Sequence, residues 1–332
     1  MQYYTNLPKV HDYLAEFKRD VLDFYDCFTV GEGPRMEPEV ALSYVREGKD
    51  KVLDMMINFA HMEADCFITD FLQRPFDLIK LKKAFTKWQT KMYGKGWNAL
   101  YMENHDHPRI ISRYGSEKYR VESGKSIAAS YLFQRGTPFV YQGQEIGMIN
   151  TPLPSLDDYK DIMVKNNARI ARSLGLSKET VLKLAQKASR DNARTCMQWS
   201  GAPNAGFTSG KPWFVVNSNY KDINVESQLD DPDSILNFYR DALQFRRDNP
   251  VVIYGDYVEH MPKSKELYVY ERNLAGKKLL VICSYSEKCV RFDAPDGITL
   301  DETKQVFGNY DNNFVISNGF TTRPYEMRVY LF

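Results

Sequence analysis

Apolar residues recur along this chain at two alternating periods. Between residues 9 and 25, Val10, Tyr13, Leu14, Phe17, Val21 and Leu22 fall on one stripe, interrupted by Lys18, Arg19 and Asp20. That spacing predicts an amphipathic helix, and Pro8 suits its first turn. The run Cys27-Phe28-Thr29-Val30 then predicts a short buried strand ending at Gly31-Glu32. The alternation repeats three times. Val52 to Phe59 is strand-like and precedes a helix near 77–93 that carries Leu78, Leu81, Phe85, Trp88 and Met92. Ala99 to Met102 is strand-like and precedes a helix over roughly 117–134. Thr137 to Tyr141 is strand-like, and a long insertion at about 150–232 separates it from a helix at about 233–248.

Strands alternating with amphipathic helices predict parallel βα units. After Pro250 the pattern changes. Val251–Val258, Leu267–Glu271, Leu279–Ser284, Val290–Phe292 and Arg328–Phe332 are short β-rich runs. Turn residues separate them at Gly255-Asp256, Ala275-Gly276, Pro295-Asp296-Gly297 and Ser317-Asn318-Gly319. The expectation is two domains: an α/β part over 1–250 and a small antiparallel β-sandwich over 251–332.

Composition narrows the function classes. Hydrophobic residues make up 43% and charged residues 26% of the 332 positions, so a wholly disordered chain is excluded. Lys and Arg number 44 against 43 Asp and Glu. Such a balance gives no global attraction to nucleic acid or to an anionic membrane. No apolar run reaches the roughly 18 residues that a spanning helix needs. The opening MQYYTNLPKV has no basic segment followed by an apolar stretch, so no secretory leader is expected there. Five cysteines show no CxxC spacing, which argues against a structural zinc site and predicts reduced, buried thiols in a cytoplasmic protein.

Polar groups cluster where parallel strands end: Glu32, then Asn104-His105-Asp106, then Gln142-Gly143-Gln144-Glu145. In parallel α/β proteins the working groups sit at the carboxyl ends of strands. Glu32 closes CFTVGE and Asp106 sits in ENHDHPR. Each alone is weak evidence, because an acid after a strand is usually a helix cap or part of a solvated loop. Together they would share one rim of one sheet, a setting in which two carboxylates can work on one bond.

Four motifs carry a resemblance that covers the whole chain. They are TVGE at 29–32, ENHDHPR at 103–109, GTPFVYQGQEIGM at 136–148 and RDNARTCMQW at 190–199. In order and spacing they resemble the C-terminal part of an α-glucosidase of the α-amylase superfamily, glycoside hydrolase family 13, and its oligo-1,6-glucosidase branch above all. The resemblance implies a fold: strands five to eight of a (β/α)8 barrel followed by an all-β C-terminal sandwich domain. It also implies roles. Glu32 matches the general acid/base and Asp106 the carboxylate that stabilises the transition state. His105 and Arg190 match residues that hold the sugar. His107 stands where the family usually has Gln, and Cys196 where it usually has Pro.

The family's nucleophile is an Asp within a segment like FRMDVI. Nothing in MQYYTNLPKVHDY resembles it. The nucleophile is therefore expected to be absent from these residues, and the chain is expected to be inactive by itself. The implied substrates are α-1,6 and short α-1,4 glucosides of the isomaltose and maltose type. No cofactor and no metal are expected. A complementary N-terminal half, or self-association through open barrel edges, would be the partner. The alternatives are a non-catalytic sugar-binding or interaction module, and a relative acting on trehalose 6-phosphate or sucrose.

Overall fold

The computed structural model describes residues 6–48, 51–67, 71–311 and 318–332. Helix α1 (Lys9–Asp20) is followed by a 3₁₀ turn at Leu22–Phe24, so the predicted continuous helix to residue 25 breaks at Val21. None of its residues is fully buried. Val10 and Leu14 pack against a small core formed by Met36, Leu42, Val45, Met56, Trp88 and Met92. Tyr13 and Phe17 on the same stripe are exposed.

Strand β1 (Val30–Gly33) starts three residues later than the apolar run suggests. The register explains this. Val30 is the first residue to pair with β2 (Met55–Asn58), opposite Met55. Just before it, the Thr29 amide and hydroxyl both donate to Asp54 Oδ2 at 2.8 Å, which closes the entry to the strand. Cys27 and Phe28 lie upstream of that clasp and are exposed rather than buried. Glu32 is consequently inside β1, opposite Ile57, rather than after it.

Helix α2 (Pro38–Val45) joins the two strands and has Pro at its first turn. Helix α3 (Leu78–Met92) is capped by Asp77, whose carboxylate accepts from the amides of Ile79 and Lys80. Strand β3 (Ala99–Leu100), helices α4 (Ile110–Tyr114) and α5 (Arg120–Leu132) and strand β4 (Thr137–Pro138) follow. All four strands run parallel. β1 pairs with β2 and β3 with β4, and the Met56–Asn98 bridge joins the pairs. The segment after β4 contains α6 (Ile162–Ser173), α7 (Lys178–Ala188) and α8 (Glu226–Leu229), then α9 (Ile235–Asp248) and α10 (Pro250–Tyr254). The predicted strand from Val251 is therefore a helix as far as Tyr254. Pro250 fixes the first helical φ, and Val251 and Val252 bury themselves in the core.

Seven further strands complete the chain: β5 (Asp256–His260), β6 (Leu267–Leu274), β7 (Lys277–Ser284), β8 (Val290–Asp293), β9 (Gln305–Gly308), β10 (Gly319–Thr322) and β11 (Met327–Leu331). Five of them form an antiparallel sheet in the order β5-β6-β7-β11-β9, and β8 pairs with β10 as a separate ribbon. Of the predicted turn at 317–319, Ser317 lies outside the described residues. Alternation sorts the sheet's side chains. Leu267, Val269, Leu280, Ile282 and Tyr330 pack under the ribbon with Phe292 and Phe320. Tyr268, Tyr270, Leu279, Val281 and Val329 face the other way and join the core of α3, α5 and α9.

Helix α5 makes that junction possible. Gly124, Ser126, Ala128, Ala129 and Ser130 are all small and all buried, so the helix approaches the sheet closely. Ser126 Oγ donates to the Ser284 carbonyl at 2.9 Å, and Tyr270 Oη donates to the Ala129 carbonyl at 3.2 Å. Ser130 Oγ and Tyr285 Oη are 2.7 Å apart. Buried polar groups here are paired across the interface, which is the condition for keeping them out of water.

Candidate active site

Glu32, Asp106 and Arg190 line one cleft of about 430 Å³, together with Phe59, Glu63 and His107. Three elements deliver the three charged groups: β1, the loop after β3, and the 3₁₀ turn at Arg190–Arg194. The structure thus gathers three of the four candidate residues. His105 is beside them but outside the cleft lining. Its side chain is 66% exposed, with Nε2 at 3.5 Å from Asp106 Oδ2.

The loop that carries His105 and Asp106 is held from both sides. Within the loop, the Asp106 amide donates to Asn104 Oδ1 at 2.9 Å. At its far end, buried Glu103 accepts from the Ile110 amide at 2.8 Å and from Arg109 Nη1 at 3.0 Å. Burial raises the Glu103 carboxyl above its ordinary value, against the pull of Arg109. From across the cleft, Arg194 Nη2 reaches Asp106 Oδ1 at 3.0 Å and Arg194 Nε donates to the His105 carbonyl at 2.9 Å.

Arg190 is fixed by Asp161, the N-cap of α6. Its Nε and Nη2 donate to Asp161 Oδ1 at 3.0 and 2.6 Å, and its amide donates to Asp161 Oδ2 at 3.1 Å. The remaining arm, Nη1, lies 3.4 Å from Asp106 Oδ1. Burial opposes ionisation of Asp161. The guanidinium and the amides of Met163 and Arg190 outweigh it, so its carboxyl sits below the usual value. Arg190 is raised in turn, first by its hydrogen bond to Asp161. A planar five-donor fork suits this bridging, because it grips one carboxylate while leaving a donor aimed at the cleft.

Beneath the cleft lies a set of buried rings. His107 is 5% exposed, and burial, reinforced by Arg113 and His61, pushes its imidazole well below the ordinary range. It is a neutral packed side chain and not a titrating group near neutral pH. His61, pushed down to about 3 by burial, stacks on Phe85 with ring centroids 5.2 Å apart. The loop bearing Met62 and Glu63 is anchored by a buried ion pair. Arg113 Nε and Nη2 donate to the two oxygens of Asp65 at 2.8 and 2.6 Å.

Sequence reasoning singled out Glu32, Asp106, His105 and Arg190, and it missed Arg194, Asp161 and Glu63. Arg194 was within reach, because it belongs to the RDNART motif. Asp161 gave no signal, because it comes from an insertion helix 29 residues from its partner. Cys196 is buried as expected, its thiol facing the Phe214 carbonyl at 3.6 Å. The general expectation of buried thiols fails at Cys27 and Cys289, which are exposed. Among the described residues no group of three metal-binding side chains occurs, and no helix is long and apolar enough to cross a membrane.

Residues 1–255 match the family model of the α-amylase catalytic domain. The chain is 41% identical over 333 aligned positions to an oligo-1,6-glucosidase of Parageobacillus thermoglucosidasius, covering 99% of this chain and 59% of that protein. It is 36% identical to a trehalose-6-phosphate hydrolase of Bacillus subtilis, with the same coverage of both chains. Among solved structures, the trehalose-6-phosphate hydrolase of Bacillus licheniformis superposes with a TM-score of 0.93 at 40% identity, covering 99% of this chain and 60% of that one. The chain thus spans about three fifths of the length of the curated relatives it matches.

Proposed function

The chain belongs to the α-amylase family of glycoside hydrolases, and from that premise we propose that it carries the acid/base side of an exo-acting, retaining α-glucosidase site. The observation that supports this reading is the single cleft shared by Glu32, Asp106 and Arg190. Glu32 donates its proton to the glycosidic oxygen as the C–O bond breaks. It then takes a proton from the water that attacks the anomeric carbon. Asp106 accepts hydrogen bonds from sugar hydroxyls and faces the positive charge that develops on the ring. Arg190, held between Asp161 and Asp106, and His105 orient the terminal glucose. The substrates are α-1,6 and short α-1,4 glucosides.

On this reading β1 to β4 are strands five to eight of an eight-stranded barrel, which places the working groups at carboxyl ends of strands. Residues 1–250 form the barrel portion and 251–332 the β-domain. The retaining reaction also needs a carboxylate nucleophile about 5–5.5 Å from the acid/base. No segment of residues 1–332 resembles the family's nucleophile strand, so that group comes from polypeptide outside them. The edge of β1 away from β2 is unpaired among the described residues, and a strand can add there.

Co-expression with an N-terminal half from an oligo-1,6-glucosidase tests the reading. Glucose release from isomaltose above that of either half is expected, together with loss of that gain in Glu32→Gln. No gain over the separate halves overturns it.

A further inference from the structure

Two imidazoles and a phenol at the base of the cleft carry unmatched polar atoms. Among the described residues, His61 Nε2, Tyr101 Oη and both ring nitrogens of His107 are buried without a hydrogen-bond partner. The three residues are 2%, 3% and 5% exposed. They form one cluster. His61 and Tyr101 meet edge to face with ring centroids 4.6 Å apart, and Phe59 stands 6.1 Å from Tyr101 and 6.0 Å from His107.

The three do not border the same space. His61 and Tyr101 line a separate internal void of about 10 Å³, with Asn58, Gln89 and Asn98 around it. Of the three, His107 alone lines the cleft, beside Asp106, Phe59 and Met62. Its nitrogens are thus the unmatched ones that a molecule in the cleft can meet. A buried polar atom left without a partner is costly, so a ligand that supplies one gains more there than at a solvated surface.

The chemistry of the ring selects the ligand group. Burial keeps the imidazole neutral, so it offers one N–H and one lone pair on opposite sides of the ring. A hydroxyl can answer either nitrogen, as acceptor from the N–H or as donor to the lone pair. A carboxylate answers only the N–H, and an ammonium only the lone pair. The rest of the lining sets Glu32, Glu63 and Asp106 against Arg35 and Arg190, so it holds no surplus of positive charge for an anion. Position 107 is also where the sequence departs from the family's Gln, whose amide likewise carries a donor and an acceptor.

We propose that His107 is a sugar-binding residue that reads one hydroxyl of the bound glucoside through a ring nitrogen at the cleft floor. The proposal rests on the function proposed above and adds to it a residue that selects between sugars differing by a single hydroxyl. A site built to hydrogen-bond a hydroxyl rejects the analogue that lacks it, because its own polar group is then left unpaired.

Isothermal titration of this chain with glucose and with its 2-, 3-, 4- and 6-deoxy analogues tests it without any turnover. One of these analogues is expected to bind about tenfold more weakly than glucose because it leaves His107 unpaired. In His107→Leu that gap closes, while the gaps for the other analogues persist. His107→Phe, which keeps a ring beside Phe59, gives the same reading should the leucine variant not fold. His107→Gln keeps the gap. A purely structural role would instead weaken every sugar by one common factor, and that result overturns the proposal. Unchanged gaps in His107→Leu overturn it too, as does a gap that closes equally in His107→Gln. Failure of the underlying cleft reading looks different: glucose itself then does not bind, or Arg190→Gln leaves its affinity unchanged, and the proposal falls with it.

Discussion

Arg194 holds Asp106 and the residue before it with one rigid group. Its Nη2 lies 3.0 Å from Asp106 Oδ1 while its Nε donates to the His105 carbonyl at 2.9 Å. The fork fixes both the position of the carboxylate and the path of the backbone that presents it. A hydrogen bond to a charged group is worth about 1.5–3 kcal/mol, so Arg194→Met is expected to weaken glucose binding by about tenfold or more. Arg194→Lys recovers only part of this, because an ammonium cannot span both acceptors. Titration calorimetry on the two variants reads the difference, and equal affinities would show that the fork does not set the loop.

Asp65 and Arg113 carry the floor of the cleft. Their side chains are 2% and 1% exposed. Removing one member of a buried pair strands the other charge, at a cost of about 3–5 kcal/mol. Asp65→Asn is expected to lower the urea midpoint accordingly, and a change below about 1 kcal/mol would show that the pair is dispensable.

Acid sensitivity follows from Asp161. Its folded carboxyl titrates below the 3.8 of an unperturbed Asp. The stability it contributes is present above that unfolded value and is lost as pH falls through the lower folded one. Glu103 has the opposite sign. Its folded value is raised above 4.5, so it favours the folded state at low pH and loses that contribution as pH rises through the raised value. Asp161→Asn is expected to flatten the loss of stability as pH falls below the 3.8 of an unperturbed Asp, measured by urea titration at each pH. An unchanged acid limb would place the sensitive group elsewhere.

Gly136 enters β4 with φ near +143°, and a Cβ there would lie 2.5 Å from the Asn98 carbonyl oxygen. That carbonyl already accepts the Thr137 amide at 2.8 Å. Gly136→Ala must shift backbone against backbone, and a loss of more than about 2 kcal/mol in chemical denaturation is expected.

The parallel strands and the site loop were legible because they are carried by local signals. β2 and α3 announce themselves by apolar spacing, and Glu32, Asp106 and Arg190 by motif. What stayed hidden depends on partners distant in sequence. Phe28 looks like a strand residue, yet pairing starts only at Val30, because Asp54 clasps Thr29 from another element. Tyr13 and Phe17 continue a helical stripe whose outer half faces solvent. β9 and β10 lack an apolar alternation of their own. They exist because Phe307 packs on Phe133 and Phe238, and Phe320 on Phe292. Arg194 and Asp161 act through geometry that folding creates, which no spacing rule displays.

The hydroxyls that cross from α5 to β6 and β7 decide where this molecule can be recombined. A chimera spliced at residue 250 would lay a foreign sheet on the native helix, leaving Ser126 without its carbonyl acceptor and Ser130 without the Tyr285 hydroxyl. A splice that moves residues 120–134 together with the sheet carries both halves of that seam. Swaps between relatives should therefore be designed around the seam rather than around the turn where the strands begin.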